Sequence, residues 1–526
     1  MKPSAFLLTL FCFLSVAPAF SQSGRSPGKE TPAIFYESFD GKSADFKKAA
    51  SDLITQRRFQ AIYQPVYSAG ISGKALDLSG DVPMRTPMVL NDEQRVRYTK
   101  DQSFSIVAWV KTKKGARQGT PIWTNKRLNA RDAVGWCLGT QDNGAWYWNM
   151  SDGKVAYNYD PTPQRQAIND GNWHQLAISV DRSRQEVWMY MDGRNVAIYR
   201  LEQYGLESME SSQRTIVGGS DDYYDFGSNG EWTAFNGLID EVAMYDRPLK
   251  ASEVKAAYER LTGQKDEPLL RPDRLKVQAW NIWHGGRRFG LHVGVERTVE
   301  MIREQNADIV GLVETYGSGA IIADALGYHF YLISSNLSIM SRYPIEETIA
   351  VFKPFHSGGA LIHLGNNQRL AVFDIWLYYK GEERRAGEIQ QILKEIDGYV
   401  RNADDVPVIM VGDFNTSSHL DPTEETAAPD GDAGLDRPVS RLMEQAGFVD
   451  SYRAVHPNAV MSPGFTWSPL RNEIHMRENG LRSKRIDFIY YKSKKLLPYH
   501  SLVLDSHPVF FPSDHASVVT LFYLDH

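Results

Sequence analysis

Five short segments of the chain carry side chains able to bind a hard cation or move a proton. VQAWNIWHGG holds Asn281 and His284, IVGLVET ends at Glu314 and Thr315, and VIMVGDFNTSS holds Asp413 and Asn415. SKRIDFIYYK holds Asp487, and PSDHASV holds Asp514 and His515. Runs of β-branched or aromatic residues that finish on a carboxylate, amide or imidazole are how buried strands deliver polar side chains to the rim of a sheet. Carboxylates, two carboxamides and one imidazole converging at such a rim would form a hard-metal site with an acid/base group beside it. Mg²⁺ suits that set, because it takes a few carboxylate oxygens and keeps positions for water and phosphate oxygens; Mn²⁺ accepts the same donors. Glu314, closing a buried run, is the first candidate ligand. The chemistry expected is phosphoester cleavage, which needs an attacking water, a leaving oxygen in line and neutralisation of the phosphoryl oxygens.

The elements that must position these residues change character along the chain. From Ala33 to residue 262 the pattern is short alternating strands separated by Gly, Asn and Asp turns, as in SFSIVAWVKT (103–112), NWHQLAISVD (172–181) and QEVWMYMDGR (185–194). Period-two alternation closed by Asp192-Gly193 predicts hairpins, and many of them predict an antiparallel sandwich. Residues 263–273 (GQKDEPLLRPD) are a charged, Pro-containing connector, and the domain boundary is placed there. From 274 to 526 strands alternate with helices. Apolar residues fall at helical spacing over 293–304 and 386–400, and VIMVGDFN and LAVFDIWLYY are continuous apolar strands. That pattern predicts a layered α/β sandwich with its site at one edge of two packed sheets. The two halves are expected to separate, a fragment from Leu270 onward folding by itself.

On these motifs, taken in order and spacing, the C-terminal half resembles the endonuclease/exonuclease/phosphatase (deoxyribonuclease-I-like) superfamily. The resemblance implies a four-layered α/β sandwich and a divalent-metal-dependent phosphoric ester hydrolase. Carried over motif by motif, Asn281, Glu314 and Asp514 supply the metal environment. Asp413 activates the attacking water and Asn415 donates to a phosphate oxygen. His515 acts on the phosphoryl oxygens or as general acid, and Asp487 orients and charges its imidazole. His284 is a candidate for substrate contact. One departure stands out: relatives carry Asn-x-His on the strand that here reads AVFDIWLYY, so Asp374 and Trp376 fill those places. Trp cannot transfer a proton, and Trp376, Tyr378 and Tyr379 are expected to form an aromatic substrate wall instead. The first half resembles the laminin-G-like, concanavalin-A-like jelly roll, on FYESFDG, GKALDLSG, SFSIVAWVKT, GNWHQLAISVD, MDGR and FNGLIDEVAMYDRPLKASEV. Asp40 and Asp240 are the places for a Ca²⁺ ion there, with turn capping as the competing role. The jelly roll is expected to take a glycan or cell-surface ligand, and Trp146, Tyr147 and Trp148 either stack on sugars or pack in the core.

Lys2, an apolar run from Ala5 to Phe20 and small residues at Ala17, Ala19 and Ser21 read as a signal peptide over 1–21, followed by a flexible linker at 22–32. The run falls short of the ~20 residues needed to span a bilayer, and no later stretch does so. Without the leader only Cys137 remains, so no intrachain disulfide can form. Export without disulfides leans toward a bacterial periplasm or exterior. The net charge is -6, and its deficit sits in residues 271–526, whereas non-specific nucleic-acid binders carry a basic footprint. Arg482, Lys484, Arg485, Lys492, Lys494 and Lys495 bracket Asp487 and are read as a solvated face rather than a phosphate track. The favoured substrate is therefore a small-molecule or lipid-headgroup phosphoester. A secreted nuclease and a catalytically inactive glycan-binding protein are the two alternatives.

Overall fold

The computed structural model describes residues 32–41, 65–80, 88–90, 96–116, 118–126, 133–213, 215–220, 235–265, 267–421, 437–469 and 483–525. The leader, nearly all of the linker after it, the acidic stretch beyond Asp421 and Arg482 lie outside them. Among the described residues no helix is long and apolar enough to cross a membrane.

The described residues of the first half form the expected sandwich. One sheet orders Met88–Leu90, Thr215–Val217, Pro121–Thr124, Val134–Thr140, Trp146–Asp152 and Ala156–Tyr159. It faces a second sheet containing Phe104–Lys111, His174–Asp181, Glu186–Met191, Arg194–Arg200 and Leu238–Tyr245. Between them Trp123, Trp136, Trp146, Trp148 and Phe104 are fully buried, with Trp136 and Trp148 stacked at 5.6 Å. Trp146 and Trp148 are thus core residues, and Tyr147 directs its hydroxyl to Cys137 Sγ (3.1 Å). In Glu186–Met191 the predicted alternation is real, with Val187 and Met189 in the sandwich core. Tyr190 is equally buried because Leu249 and Val254, at the start of helix Ala251–Thr262, cover the outer face.

The C-terminal half is two sheets packed face to face, with helices on both outer sides. The first orders His329–Leu332, Leu337–Ser341, Ile309–Val313, Arg274–Asn281, Ser517–Leu524 and Leu496–Leu504. The second orders Ile345–Ile349, Ser357–Gly365, Gln368–Trp376, Val408–Asp413, Asp487–Lys492 and Val449–Asp450. Val277, Ile309, Ile339, Val372, Ile409, Val411 and Ile489 fill the space between them. Helices Val293–Gln305 and Gly319–Leu326 pack beside Trp280, Val310 and Leu312 on the far side of the first sheet. Glu382–Glu395 and Pro438–Gln445 cover Phe373, Val408 and Met410 on the far side of the second. This is the four-layered α/β sandwich.

The connector 263–273 lies between Ala251–Thr262 and Arg274–Asn281, but the halves also meet elsewhere. Arg194–Arg200 of the jelly roll pairs in parallel with His329–Leu332, with Ala197 opposite Phe330 and Tyr199 opposite Leu332. Among the described residues one fourteen-stranded sheet therefore runs through both halves. Polar contacts reinforce the seam. His329 Nδ1 bonds Asn195 O (2.8 Å), Gln166 Nε2 donates to Asp324 Oδ1 (3.1 Å), and Arg184 donates to Thr348 O (3.0 Å).

Candidate active site

The site grows from strand ends. Asn281 closes its strand, Glu314 follows Ile309–Val313, and in the second sheet Trp376, Asp413 and Asp487 stand in one row across neighbouring strands. Gly412 precedes Asp413 where the chains approach most closely: a Cβ there would lie 2.0 Å from Ile375 O. Non-glycine residues with left-handed backbone gather at the rim, namely Trp283 (φ 49°), His284 (52°), Glu314 (58°) and Asn415 (53°). Such strain persists only where the surroundings over-determine it.

Asn281 links the two sheets. Its Nδ2 lies 3.4 Å from Glu314 Oε1 and 3.3 Å from Asp413 Oδ2, and its Oδ1 accepts from Trp283 N (3.0 Å). Glu314 Oε2 accepts from His284 N (3.0 Å). Asp487 Oδ2 meets His515 Nδ1 at 2.9 Å, with both side chains buried. Asp413, Asp487 and His515 bring ligand atoms within 4.8 Å of one another. Burial alone would depress the His515 imidazole, but the Asp487 charge and hydrogen bond, with Asp413 and Asp514, push it up to about 10. Burial, then the neighbouring Asp487, raises Asp413 to about 7. Burial also raises Asp514, and Glu314 adds to the rise while His515 opposes it.

The donor set fits a divalent cation. Asp514 Oδ1 and Asp487 Oδ1 are buried with no hydrogen-bond partner, and Glu314 and Asp514 repel each other across a short space. A divalent cation held among these carboxylates would offset both penalties. The remaining expected residues fall nearby with differing freedom. His284 is exposed and lies against Tyr316, the rings tilted by 31° with centroids 5.6 Å apart. Asn415 is already engaged, its Nδ2 donating to Leu377 O (2.9 Å) and Asp413 Oδ2 (3.2 Å). Trp376, Tyr378 and Tyr379 form a continuous aromatic edge, at 6.1 and 4.7 Å between successive rings. In the jelly roll, Asp240 accepts from Ile71 N (2.9 Å) and Glu241 N (2.8 Å), and Asp40 accepts from Lys74 N (2.8 Å). Both thus brace the turn at residues 70–74.

Four residues escaped the sequence reading. Ser513 Oγ donates to Asn281 O (2.7 Å) and accepts from His515 N (3.1 Å), tying the two motifs together. Thr466 Oγ1 accepts from Asp487 N (3.1 Å). Asn336 Oδ1 accepts from Glu314 N (3.2 Å), and its Nδ2 donates to Phe355 O (3.0 Å). His356 sits across from Trp376, whose N donates to His356 O (2.9 Å); their rings are 5.2 Å apart, and Glu388 is 3.6 Å from its Nδ1. Ser513 stands inside PSDHASV and could have been found there; the others lie in segments without a motif. One expectation is corrected outright. Arg485 is not on a solvated face: it is buried, bonded to Asp421 Oδ1 (2.8 Å) and paired with Asp450 Oδ2 (2.7 Å), because the Asp450 cap of helix Ser451–Val455 needs a buried counter-charge.

Two family models agree with this architecture. The family model described as Endonuclease/Exonuclease/phosphatase family matches residues 279–515, and that of the Concanavalin A-like lectin/glucanases superfamily matches residues 88–255. An uncharacterized protein of Caenorhabditis elegans is 27% identical over 261 residues, which are 43% of this chain and 81% of that protein. Among solved structures, humanized D. rerio TDP2 aligns over 48% of this chain and 99% of its own, with 18% identity and a TM-score of 0.37. An AP endonuclease from Archaeoglobus fulgidus aligns over 47% and 99%, with 20% identity and a TM-score of 0.36.

Proposed function

With an Endonuclease/Exonuclease/phosphatase domain over residues 279–515 as the premise, we propose that the chain is an exported, divalent-metal-dependent phosphoesterase. Its favoured substrate is a small-molecule or lipid-headgroup phosphoester, and the jelly roll is its accessory surface- or glycan-binding domain. The observation that carries the reading is the buried His515–Asp487 pair (2.9 Å) set beside Asp413 and joined through Asn281 to Glu314. Glu314, Asn281 and Asp514 would hold Mg²⁺ or Mn²⁺, which when bound supplies positive charge to the phosphoryl oxygens. Asp413 takes the proton of the attacking water, a role suited by a carboxyl raised to about 7. His515, kept cationic by Asp487, stabilises charge on the phosphoryl group and protonates the leaving oxygen. Trp376 lines the wall beside Asp413. Lys492 Nζ donates to Ala446 O (2.6 Å) and Arg485 is paired internally, which supports a compact ester over a nucleic-acid backbone.

The test is hydrolysis of bis-p-nitrophenyl phosphate by the full chain with Mg²⁺ or Mn²⁺, against EDTA and an Asp413→Asn control. Turnover that needs the metal and collapses in the variant is expected. Absence of metal-dependent turnover across a panel of phosphodiesters and monoesters would favour the inactive glycan-binding alternative.

A further inference from the structure

A turn of the jelly roll, residues 201–205, reaches the loop that carries Glu314. Gln203 Oε1 accepts from Ser335 N (2.7 Å) and its Nε2 donates to Ser335 Oγ (2.9 Å). Ser335 O accepts from Tyr316 N (2.7 Å), two residues beyond Glu314. Beside Gln203, Tyr204 is 53% exposed, its ring 6.2 Å from that of Tyr157 and inclined to it by 56°. A cavity of about 340 Å³ separates this turn from the catalytic half, with Tyr157, Asp160, Tyr204, Arg287, Gly317 and Ser335 on its walls. Arg287 Nη2 donates to Gly317 O (3.1 Å), while its Nε has no partner. Asp160 makes no hydrogen bond or ion pair among the described residues. Gly317, on the cavity wall, follows Glu314 by three residues, and Tyr316 between them lies against His284, whose N donates to Glu314 Oε2.

We infer that this cavity is a subsite for a sugar ring carried by the phosphoester, so that the jelly roll forms part of the substrate site. A hydroxyl both donates and accepts, and a polyol is best held between an acceptor-only carboxylate and a donor-only guanidinium. Asp160 and Arg287 are that pair. The exposed Tyr204 face offers an apolar platform for one side of a puckered ring. A ring bearing several hydroxyls uses the carboxylate and the guanidinium together with the one exposed tyrosine face, and a sugar is the occupant proposed. The volume lies at the small end of ligand pockets, roughly 300–1,000 Å³. The subsite deepens the phosphoesterase reading and rests on it for the position of the scissile phosphate, whereas sugar binding itself does not.

Two measurements on the full chain test it. The first compares kcat/KM for the p-nitrophenyl phosphodiester of glucose with that for methyl p-nitrophenyl phosphate. A preference of roughly tenfold or more for the sugar ester is expected, falling to about twofold in Tyr204→Ala and in Asp160→Asn. Turnover of both esters without preference, or a preference intact in both variants, overturns the subsite and leaves the phosphoesterase reading standing. The second is saturation-transfer NMR with glucose 6-phosphate, expected to label the ring protons in the wild type and not in Tyr204→Ala. A signal that depends on Tyr204 in a protein that hydrolyses neither ester would keep the subsite and sink the phosphoesterase reading. No signal in the wild type, or one indifferent to Tyr204, overturns the subsite.

Discussion

Asp487→Asn separates charge from geometry at the His515 pair. The amide oxygen can still accept from His515 Nδ1, so the contact now at 2.9 Å survives, but the anion that outweighs burial is gone. His515 should fall from about 10 to its ordinary 6.5 or below, since burial then acts with less opposition. At pH 8 the wild-type imidazole is nearly all protonated, while an imidazole at 6.5 retains about one cation in thirty. Turnover of bis-p-nitrophenyl phosphate should therefore drop roughly 30-fold at pH 8 yet less than about twofold at pH 6 from this cause. A kcat profile from pH 5 to 10 reads this directly, the alkaline limb moving down by several pH units. Stability gives a second reading. A raised folded pKa stabilises below the unfolded value of 6.5 and is lost as pH rises through about 10. Between pH 7 and 10 the wild type should lose melting temperature faster than the variant. A uniform loss of rate at every pH, with the alkaline limb unmoved, would show that His515 does not act as a cation.

Glu314→Gln keeps volume and removes charge, so turnover should fall by orders of magnitude with circular dichroism unchanged; activity within about tenfold, or 1.4 kcal/mol of barrier, would place the metal elsewhere. His515→Ala should lose about 10²–10⁴-fold, and a nearly active variant would turn attention to His284, Tyr378, Tyr379 and the buried His356. Asp374 is fully buried, and burial holds its carboxyl well above the ordinary range. Its stabilising influence is greatest at low pH and declines above the unfolded value, so Asp374→Asn should raise the melting temperature at pH 8 more than at pH 5; a lower melting temperature at pH 8 would mean that a counter-charge is being lost. Contrary to the expectation from the sequence, a fragment from Leu270 onward should be soluble only poorly, because His329–Leu332 loses its strand partner and presents a bare edge; a monomeric, active fragment would restore that expectation and show that the shared sheet is dispensable.

The rim residues could be read from the chain because the signal is local: an apolar strand that stops on Asn281, Glu314 or Asp413 announces both its burial and its end. The order of the two folds followed from the change in pattern from alternating strands to strands interleaved with helices. What could not be read is what register decides. His356 lies one residue before its strand, and nothing in FHSGGALIH says that it will stand opposite Trp376. Arg485 looks like its basic neighbours until Asp421 and Asp450 close over it. The parallel pairing of Arg194–Arg200 with His329–Leu332 is written in neither strand, since each would serve equally as an ordinary edge.

That pairing changes how the loss of a rim imidazole is understood. Trp376 occupies the row shared with Asp413 and Asp487, so that strand contributes aromatic surface rather than proton transfer. In the proposed mechanism the acid/base work falls on the opposite end of the row, where Asp487 and His515 are buried together. Discrimination among substrates would need groups farther from the phosphorus, because the proposed metal ligands and proton-transfer pair take up the rim itself. The shared sheet brings such groups within reach: by extending one sheet with the edge of the other half, it sets the turn at residues 201–205 against Ser335 and fixes Tyr204 beside the Glu314 loop. A tethered domain on a flexible linker could raise local substrate concentration but could not hold a side chain in register with the reacting centre. A sheet of fourteen strands among the described residues can, and the proposed subsite adds to the jelly roll's accessory role that of a wall of the site.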